Sequence, residues 1–253
     1  MSTIISLENL KQTVPSVFAT EASNTRTSKY VFVPTTEILE NFQKEGWEVS
    51  SARQMGHSQY ATHEVRLRNG QMPKVGDCFL EAIIRNSHNG LSSLKISAGL
   101  FRLCCSNGLT VPESVSQSFA VRHSYLDYDM VKSFTDEFAN NLTAIESSIS
   151  KMSSRVLTEG EQVGYVKSAA HVRWKEGKMP ESIKIEDILN PLRDGDRGND
   201  MWTTFNVVQE KFTRGGIGYK AGKRHTSMRE LKNIVSTNKI NVELWELANS
   251  YCG

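Results

Sequence analysis

Cys78-Phe79-Leu80-Glu81-Ala82-Ile83-Ile84-Arg85, then the polar run Asn86-Ser87-His88-Asn89-Gly90, then Leu94 to Cys105, is the stretch that decides the fold. Two segments that read as strands flank an Asn-Gly dipeptide, and Asn-Gly tolerates the positive φ of tight hairpin connections. The same signal recurs outward. Glu48-Val49-Ser50, His63 to Arg68 and Phe119 to His123 read as further strands, and Asn69-Gly70 and Asn107-Gly108 supply two more turn dipeptides. An antiparallel β-meander over about 30–125 is the economical interpretation.

On the N-terminal side, Ile5 to Val14 is a short amphipathic stretch ended by Pro15, and Tyr30 to Val33 reads as a small strand. Pro34-Thr35-Thr36 then offers an N-cap and Gly46 a stop for a helix with Ile38, Leu39 and Phe42 on one face. From Asp127 the period lengthens to three and four, through Met130, Phe134, Phe138, Leu142, Ile145, Ile149 and Met152, which predicts a long helix. Thr158-x-x-Glu161 is a capping box for a second helix reaching about Trp174, and the two are expected to form a hairpin. Residues 175–199, charged and containing Pro and Gly, read as a linker or mobile loop. Met201 to Phe212 (Trp202, Phe205, Val208, Phe212) and Asn241 to Tyr251 (Val242, Leu244, Trp245, Ala248) are again helical. Strands followed by helices predict a single α+β domain over 1–253, a strand-rich half packed against a helical half over about 127–253.

Bulk properties exclude several classes. With 38% hydrophobic and 23% charged residues among 253, the chain has a globular composition. Apolar runs such as Ala82-Ile83-Ile84 fall far short of the roughly 20 residues a membrane helix needs. Met1 to Glu8 carries no basic or long apolar leader, so a cytoplasmic protein is expected. Cys78, Cys104, Cys105 and Cys252 form no disulfide or metal framework and read as free thiols. A net charge of +2 leaves any case for a polyanionic partner to local clusters.

One such cluster stands out. Lys211, Arg214, Tyr219, Lys220, Lys223, Arg224, His225, Arg229 and Lys232 fall in a glycine-rich segment with Glu230 as the single acid among them. Cations neutralise phosphates, glycines let backbone approach them, and an aromatic ring offers a stacking surface, the combination used for single strands. A plain solvated loop explains the same residues equally well. The segment is no Walker loop: position 217 is Ile where Gly is needed, and Arg224 follows Lys223 where Ser or Thr is needed. No cofactor is implied.

Other constellations are thinner. Glu64, Asp77 and Glu81 on neighbouring strands would suit Mg²⁺-dependent phosphodiester cleavage, and His57 with His63 invites a metal reading, but neither has a ligand-set spacing. Arg122-His123-Ser124 beside Cys104 or Cys105 lacks any nucleophile signature. Asn86 to Gly90 reads as an exposed hairpin loop with polar groups able to touch phosphate. Catalysis is therefore not indicated.

Several stretches together resemble a family of phage- and plasmid-borne proteins, domain of unknown function nine-three-two. They are Pro15 to Ala19, Tyr30 with Pro34-Thr35, His63 to Arg68, Ile84 to Gly90, Gly99 to Leu109, Val121 to Ser124, Trp202 to Glu210, Arg214 to Gly216 and Asn241 to Ala248. Tyr125 and Lys211 depart from that pattern, where glycine and asparagine would be usual. The resemblance implies a mobile-element setting and carries over no catalytic residues. A meander followed by a long helix also looks like the plan of phage single-strand annealing proteins. The leading expectation is a single-stranded nucleic-acid binder of recombination type that self-associates. Two others stay open: an interaction protein that counters a host defence factor, and a metal-dependent nuclease.

Overall fold

The computed structural model of the chain describes residues 5–24, 30, 32–75, 78–90, 92–102, 107–112, 115, 119–121, 136, 142–174 and 178–253. Its class is α+β, with the antiparallel sheet in the N-terminal half and helices in the C-terminal half. The chain divides into two compact units, one made of Met1–Arg102 and Glu113–Thr143, the other of Leu103–Pro112 and Ala144–Gly253.

The first unit begins with α1 (Leu7–Thr13), a 3-10 turn at Pro15–Phe18 and α2 (Thr35–Lys44). Strands β1 (Trp47–Gln54), β2 (His63–Asn69), β3 (Cys78–Asn86) and β4 (Leu94–Arg102) follow as sequential antiparallel neighbours. Strand β6 (Phe119–Val121) pairs with the start of β4; the short β5 (Asn107–Thr110) belongs to the other unit. The meander is thus as the sequence predicts, with corrections at its joints. None of the three Asn-Gly dipeptides closes a two-residue turn: Asn69 ends β2 well before β3 begins, Asn89-Gly90 sits inside the longer loop between β3 and β4, and Asn107-Gly108 opens β5 itself. Asn69 spends its side chain on the Glu45 carbonyl and the Gln71 N–H instead (2.8 and 2.9 Å). Tyr30, Phe32 and Val33 form no strand; hydrogen bonds here involve a side chain on one side, as Tyr30 Oη donates to Ser87 O and Val33 O accepts from Asn86 Nδ2.

One face of this sheet is apolar, as the pleat dictates. Val65 and Leu67, Leu80, Ala82 and Ile84, and Ile96, Ala98 and Leu100 are all buried there. Ile38, Leu39 and Phe42 of α2 are buried too, and Phe42 meets Trp47 edge-on at 5.8 Å. The other face carries Glu64, Arg66, Arg68 and Glu81, joined into one chain of ion pairs. Arg66 reaches Glu64 (3.3 Å) and Glu81 (2.9 Å), Arg68 also binds Glu81 (2.8 Å), and Arg53 binds Glu64 (3.0 Å). Burial disfavours the Arg66 charge, but Glu64 and Glu81 outweigh it and hold its pKa above the usual value.

In the second unit, α3 (Leu142–Ser154), α4 (Glu159–Arg173), the short α5 (Ile185–Leu189), α6 (Met201–Arg214) and α7 (Ile234–Ser250) supply the core. Of the long helix expected from Asp127, Leu142–Ser154 is present, while Met130, Phe134 and Phe138 lie outside the described residues. The capping box is present: Thr158 Oγ1 accepts from Glu161 N (3.2 Å), and Glu161 Oε2 accepts from Thr158 N (2.8 Å). The bonds of α3 run to α7, where Ser148 Oγ takes the Trp245 indole N–H (3.2 Å) and donates to Asn249 (3.0 Å).

Helix α6 is the centre of this unit, buried on every side from Met201 through Thr213. Its polar residues therefore need partners. Gln209 donates to Asn241 (2.6 Å), Thr204 accepts from Gln162 (2.9 Å), and Glu210 takes a two-pronged bond from Arg193 (2.7 and 2.9 Å). Arg193 belongs to the 178–199 segment, which holds α5, a 3-10 turn at Asp194–Asp196, and the buried Ile183, Ile188 and Asp196.

Candidate nucleic-acid interface

Past α6 the chain forms a two-stranded sheet, β7 (Gly218–Ala221) with β8 (Arg224–Ser227), joined by Gly222-Lys223. Glycine at φ +61 in the first central position suits such a two-residue turn. The base is fastened by glycine as well. Gly215 ends α6 at φ +75 with its N–H on Lys211 O (2.9 Å), Gly216 N donates to Met228 O (2.8 Å), and Met228 N to Ile217 O (2.8 Å). Ile217 and Met228 are the buried apolar feet of the hairpin. Ser182 grips the outer edge of β7, accepting from Lys220 N (3.0 Å) and donating to Lys220 O (2.7 Å).

A Cβ on Gly215 would lie 2.2 Å from Met228 O and 2.8 Å from the Arg229 carbonyl carbon. Gly215→Ala is therefore expected to cost about 1–3 kcal/mol through strain and overpacking, and to lower the melting temperature by about 2–10 °C. Calorimetry of the variant checks this; an unchanged transition would show that the hairpin base yields freely.

The antiparallel register sorts the basic segment by face. Tyr219 pairs with Thr226 and Ala221 with Arg224 on one face, while Lys220 pairs with His225 on the other. A groove of about 500 Å³ opens at this hairpin, lined by Arg173, Trp174, Tyr219, Arg224, His225 and Arg229 among others. Lys220, Lys223, Arg224, His225 and Arg229 are exposed, and Tyr219 is half-buried. Among the described residues the groove lining contains no carboxylate.

Four of the sequence candidates lie outside the groove lining: Lys220 and Lys223, exposed on the hairpin, and Lys211 and Arg214, on α6. Lys211 is buried on α6, where desolvation lowers its pKa and the charges of Glu210 and Asp187 oppose the shift. Arg214 is exposed at the end of that helix and points Nη1 at Glu210 Oε1 (3.4 Å). Two residues of the groove were missed, both from the end of α4. Trp174 is braced edge-on by Phe212 at 5.2 Å, and Arg173 donates from Nη2 to Arg229 O (2.9 Å). Burial lowers the Arg173 pKa, and its Nε is enclosed with no hydrogen-bond partner among the described residues. An Arg-Trp pair closing a helix was the available signal, but nothing in the spacing connects it to a hairpin more than 40 residues on.

The remaining constellations dissolve into structure. Glu64 and Glu81 are committed to arginines, and Asp77 lies outside the described residues, as do Cys104, Cys105 and Arg122-His123-Ser124. Among the described residues, no three His, Cys, Asp or Glu side chains are placed to hold a metal ion. The loop read as exposed is closed: Asn86, Ser87 and His88 are buried. Asn86 donates to Thr35 Oγ1 (3.0 Å), which also lies 2.8 Å from His63 Nε2 and 3.5 Å from His88 Nε2. Thr35 is thereby the hub of a buried polar knot instead of a helix cap. Desolvation, the neighbouring His88 and, in opposition, the Ala61 carbonyl set the His63 pKa at about 3.

Fold and groove together define an α+β protein whose basic, aromatic-walled concavity is carried on a small hairpin. The model of the family described as domain of unknown function DUF932 matches residues 23–243, and the chain belongs to that family. It is similar to UPF0380 protein YafZ and UPF0380 protein YfjQ, both of Escherichia coli (strain K12), each 32% identical over 252 residues with 96% of this chain and 90% of the relative covered. No solved structure matches. Among the described residues no helix is long and apolar enough to cross a membrane.

Proposed function

We propose that this is a single-stranded nucleic-acid-binding protein of a mobile element, of annealing or recombination type, and that the hairpin groove is its binding site. The observation that carries this reading is the convergence of Arg173, Arg224 and Arg229 with Trp174 and Tyr219 on one groove whose described lining holds no acid. Arginine gives planar, two-pronged donors to phosphate and stacks on bases, and indole and phenol rings offer further stacking surface. The mobile-element setting rests on the family resemblance. Binding is favoured over metal-dependent cleavage because Glu64 and Glu81 are already paired with Arg53, Arg66 and Arg68.

Fluorescence anisotropy with a labelled oligonucleotide tests the reading. If four to six cations engage, log affinity falls against log salt with a slope of about −3 to −4, from roughly −0.7 per phosphate. Arg224→Ala with Arg229→Ala is expected to weaken binding at least about tenfold, one lost charge-assisted contact being worth that much. The same variant should melt near the parent, since exposed substitutions usually shift stability by less than about 0.5 kcal/mol. Salt-independent binding, or a double variant that binds like the parent, removes the groove from the function.

A further inference from the structure

We infer that the groove takes the phosphomonoester of a nucleotide, at the end of a single strand or in a free mononucleotide, in preference to internal phosphodiesters; this rests on the nucleic-acid reading above. The shape supports an end site. At about 500 Å³ the groove falls within the roughly 300–1,000 Å³ of small-ligand sites, whereas surfaces that track a strand run as extended grooves over several nucleotides. Charge points the same way. Three guanidiniums line one concavity, and none of them makes an ion pair to a carboxylate among the described residues. An internal phosphodiester brings one negative charge to such a cluster; a phosphomonoester brings about −1.5 to −2 at pH 7 with three acceptor oxygens.

The groove is also assembled in advance. Arg173 is tied to the Arg229 carbonyl, Trp174 is braced by Phe212, and the β7 edge is held by Ser182. Thr226, on the same hairpin face as Tyr219 and Arg224, adds a hydroxyl to the lining. Among the described residues the enclosed Arg173 Nε has no hydrogen-bond partner and the half-buried guanidinium has no carboxylate, a deficit a dianion relieves better than a monoanion.

The test compares one oligonucleotide carrying a 5′-phosphate, a 3′-phosphate or neither, by anisotropy, with a titration of nucleoside 5′-monophosphate followed by tryptophan fluorescence. One phosphorylated end should bind at least about tenfold tighter than the hydroxyl end. That preference should fade between pH 7.5 and 5.5, as the second phosphate ionisation near 6 is lost. Arg224→Gln should cut the preference to under about twofold while weakening the unphosphorylated strand less, since one guanidinium serves the extra charge. Because Arg173 also holds the hairpin, Arg173→Lys, which keeps the charge and loses the fork, is the second variant and should reduce the preference in part. Equal affinity for all ends without mononucleotide binding overturns this inference and leaves the strand-binding reading intact. Mononucleotide binding without strand binding keeps the site and overturns that reading; no binding of either overturns both.

Discussion

Trp245→Ala is expected to unfold the helical unit in urea at a midpoint far below the parent, with a cost of about 3–5 kcal/mol, the range for truncating a buried tryptophan. The indole is fully buried, edge-on to Trp202 at 5.5 Å and to Phe205 at 5.6 Å. Its removal opens a cavity between α7 and α6 and also takes the hydrogen bond from Ser148, which lies on α3. Helix α7 further supplies Leu244 O to Tyr165 Oη of α4 (3.2 Å), Asn241 to Gln209 of α6, and Asn238 to Thr110 of β5 (3.0 Å). A defect at Trp245 is therefore felt by four elements at once. Circular dichroism during urea titration reads the effect, and a midpoint within error of the parent would show that α7 is dispensable to the core.

Acid should unfold the protein through the Thr35 knot. The folded-state pKa of His63 is about 3 against 6.5 for the unfolded residue, chiefly because burial disfavours the imidazolium and His88 stands beside it. The pKa is depressed, so between pH 6.5 and about 3 the unfolded chain binds a proton at His63 that the folded chain does not. The stabilisation is therefore complete above 6.5 and is lost as the pH falls toward 3, by about 1.4 kcal/mol per pH unit, or roughly 2–3 kcal/mol at pH 4.5. His63→Gln keeps a polar contact to Thr35 without a titrating ring and should flatten that limb of the stability curve, even if it lowers the plateau. Denaturant midpoints at pH 7.5, 5.5 and 4.5 give the comparison; equal slopes for parent and variant would assign the acid sensitivity to other groups.

The elements were legible wherever local chemistry and the long-range environment agree. Ile38, Leu39 and Phe42 announce α2 because a three-four spacing needs a single apolar neighbour, and Thr158 with Glu161 announces α4 because a capping box is complete within four residues. The β7–β8 hairpin was not legible. Its strands are four residues each, polar and exposed, with none of the apolar alternation that marks a half-buried strand. The Asn-Gly dipeptides misled for the opposite reason: their positive-φ tolerance is real, but the Asn69 side chain is taken by the Glu45 carbonyl far back along the chain, and Asn107 opens a strand. The candidate groove was half visible. A basic cluster shows in the sequence, whereas Arg173 and Trp174 join it only when α4 ends beside the hairpin. Lys211 shows the limit of reading charge as surface: it belongs to the buried α6, near the carboxylates of Glu210 and Asp187.

The ion-pair chain across β2 and β3 bears on how the sheet finds its pairing. Successive side chains alternate faces, so sliding β2 by one residue against its neighbours would turn Glu64, Arg66 and Arg68 toward the layer now filled by Val65 and Leu67. Three charges would enter hydrocarbon with Glu81 and Arg53 left behind, a penalty of several kcal/mol per ion. A shifted meander, although it would make nearly as many backbone hydrogen bonds, is thereby priced out during folding. The network acts as a proofreader of strand alignment, and its worth lies in the misaligned sheets that never accumulate.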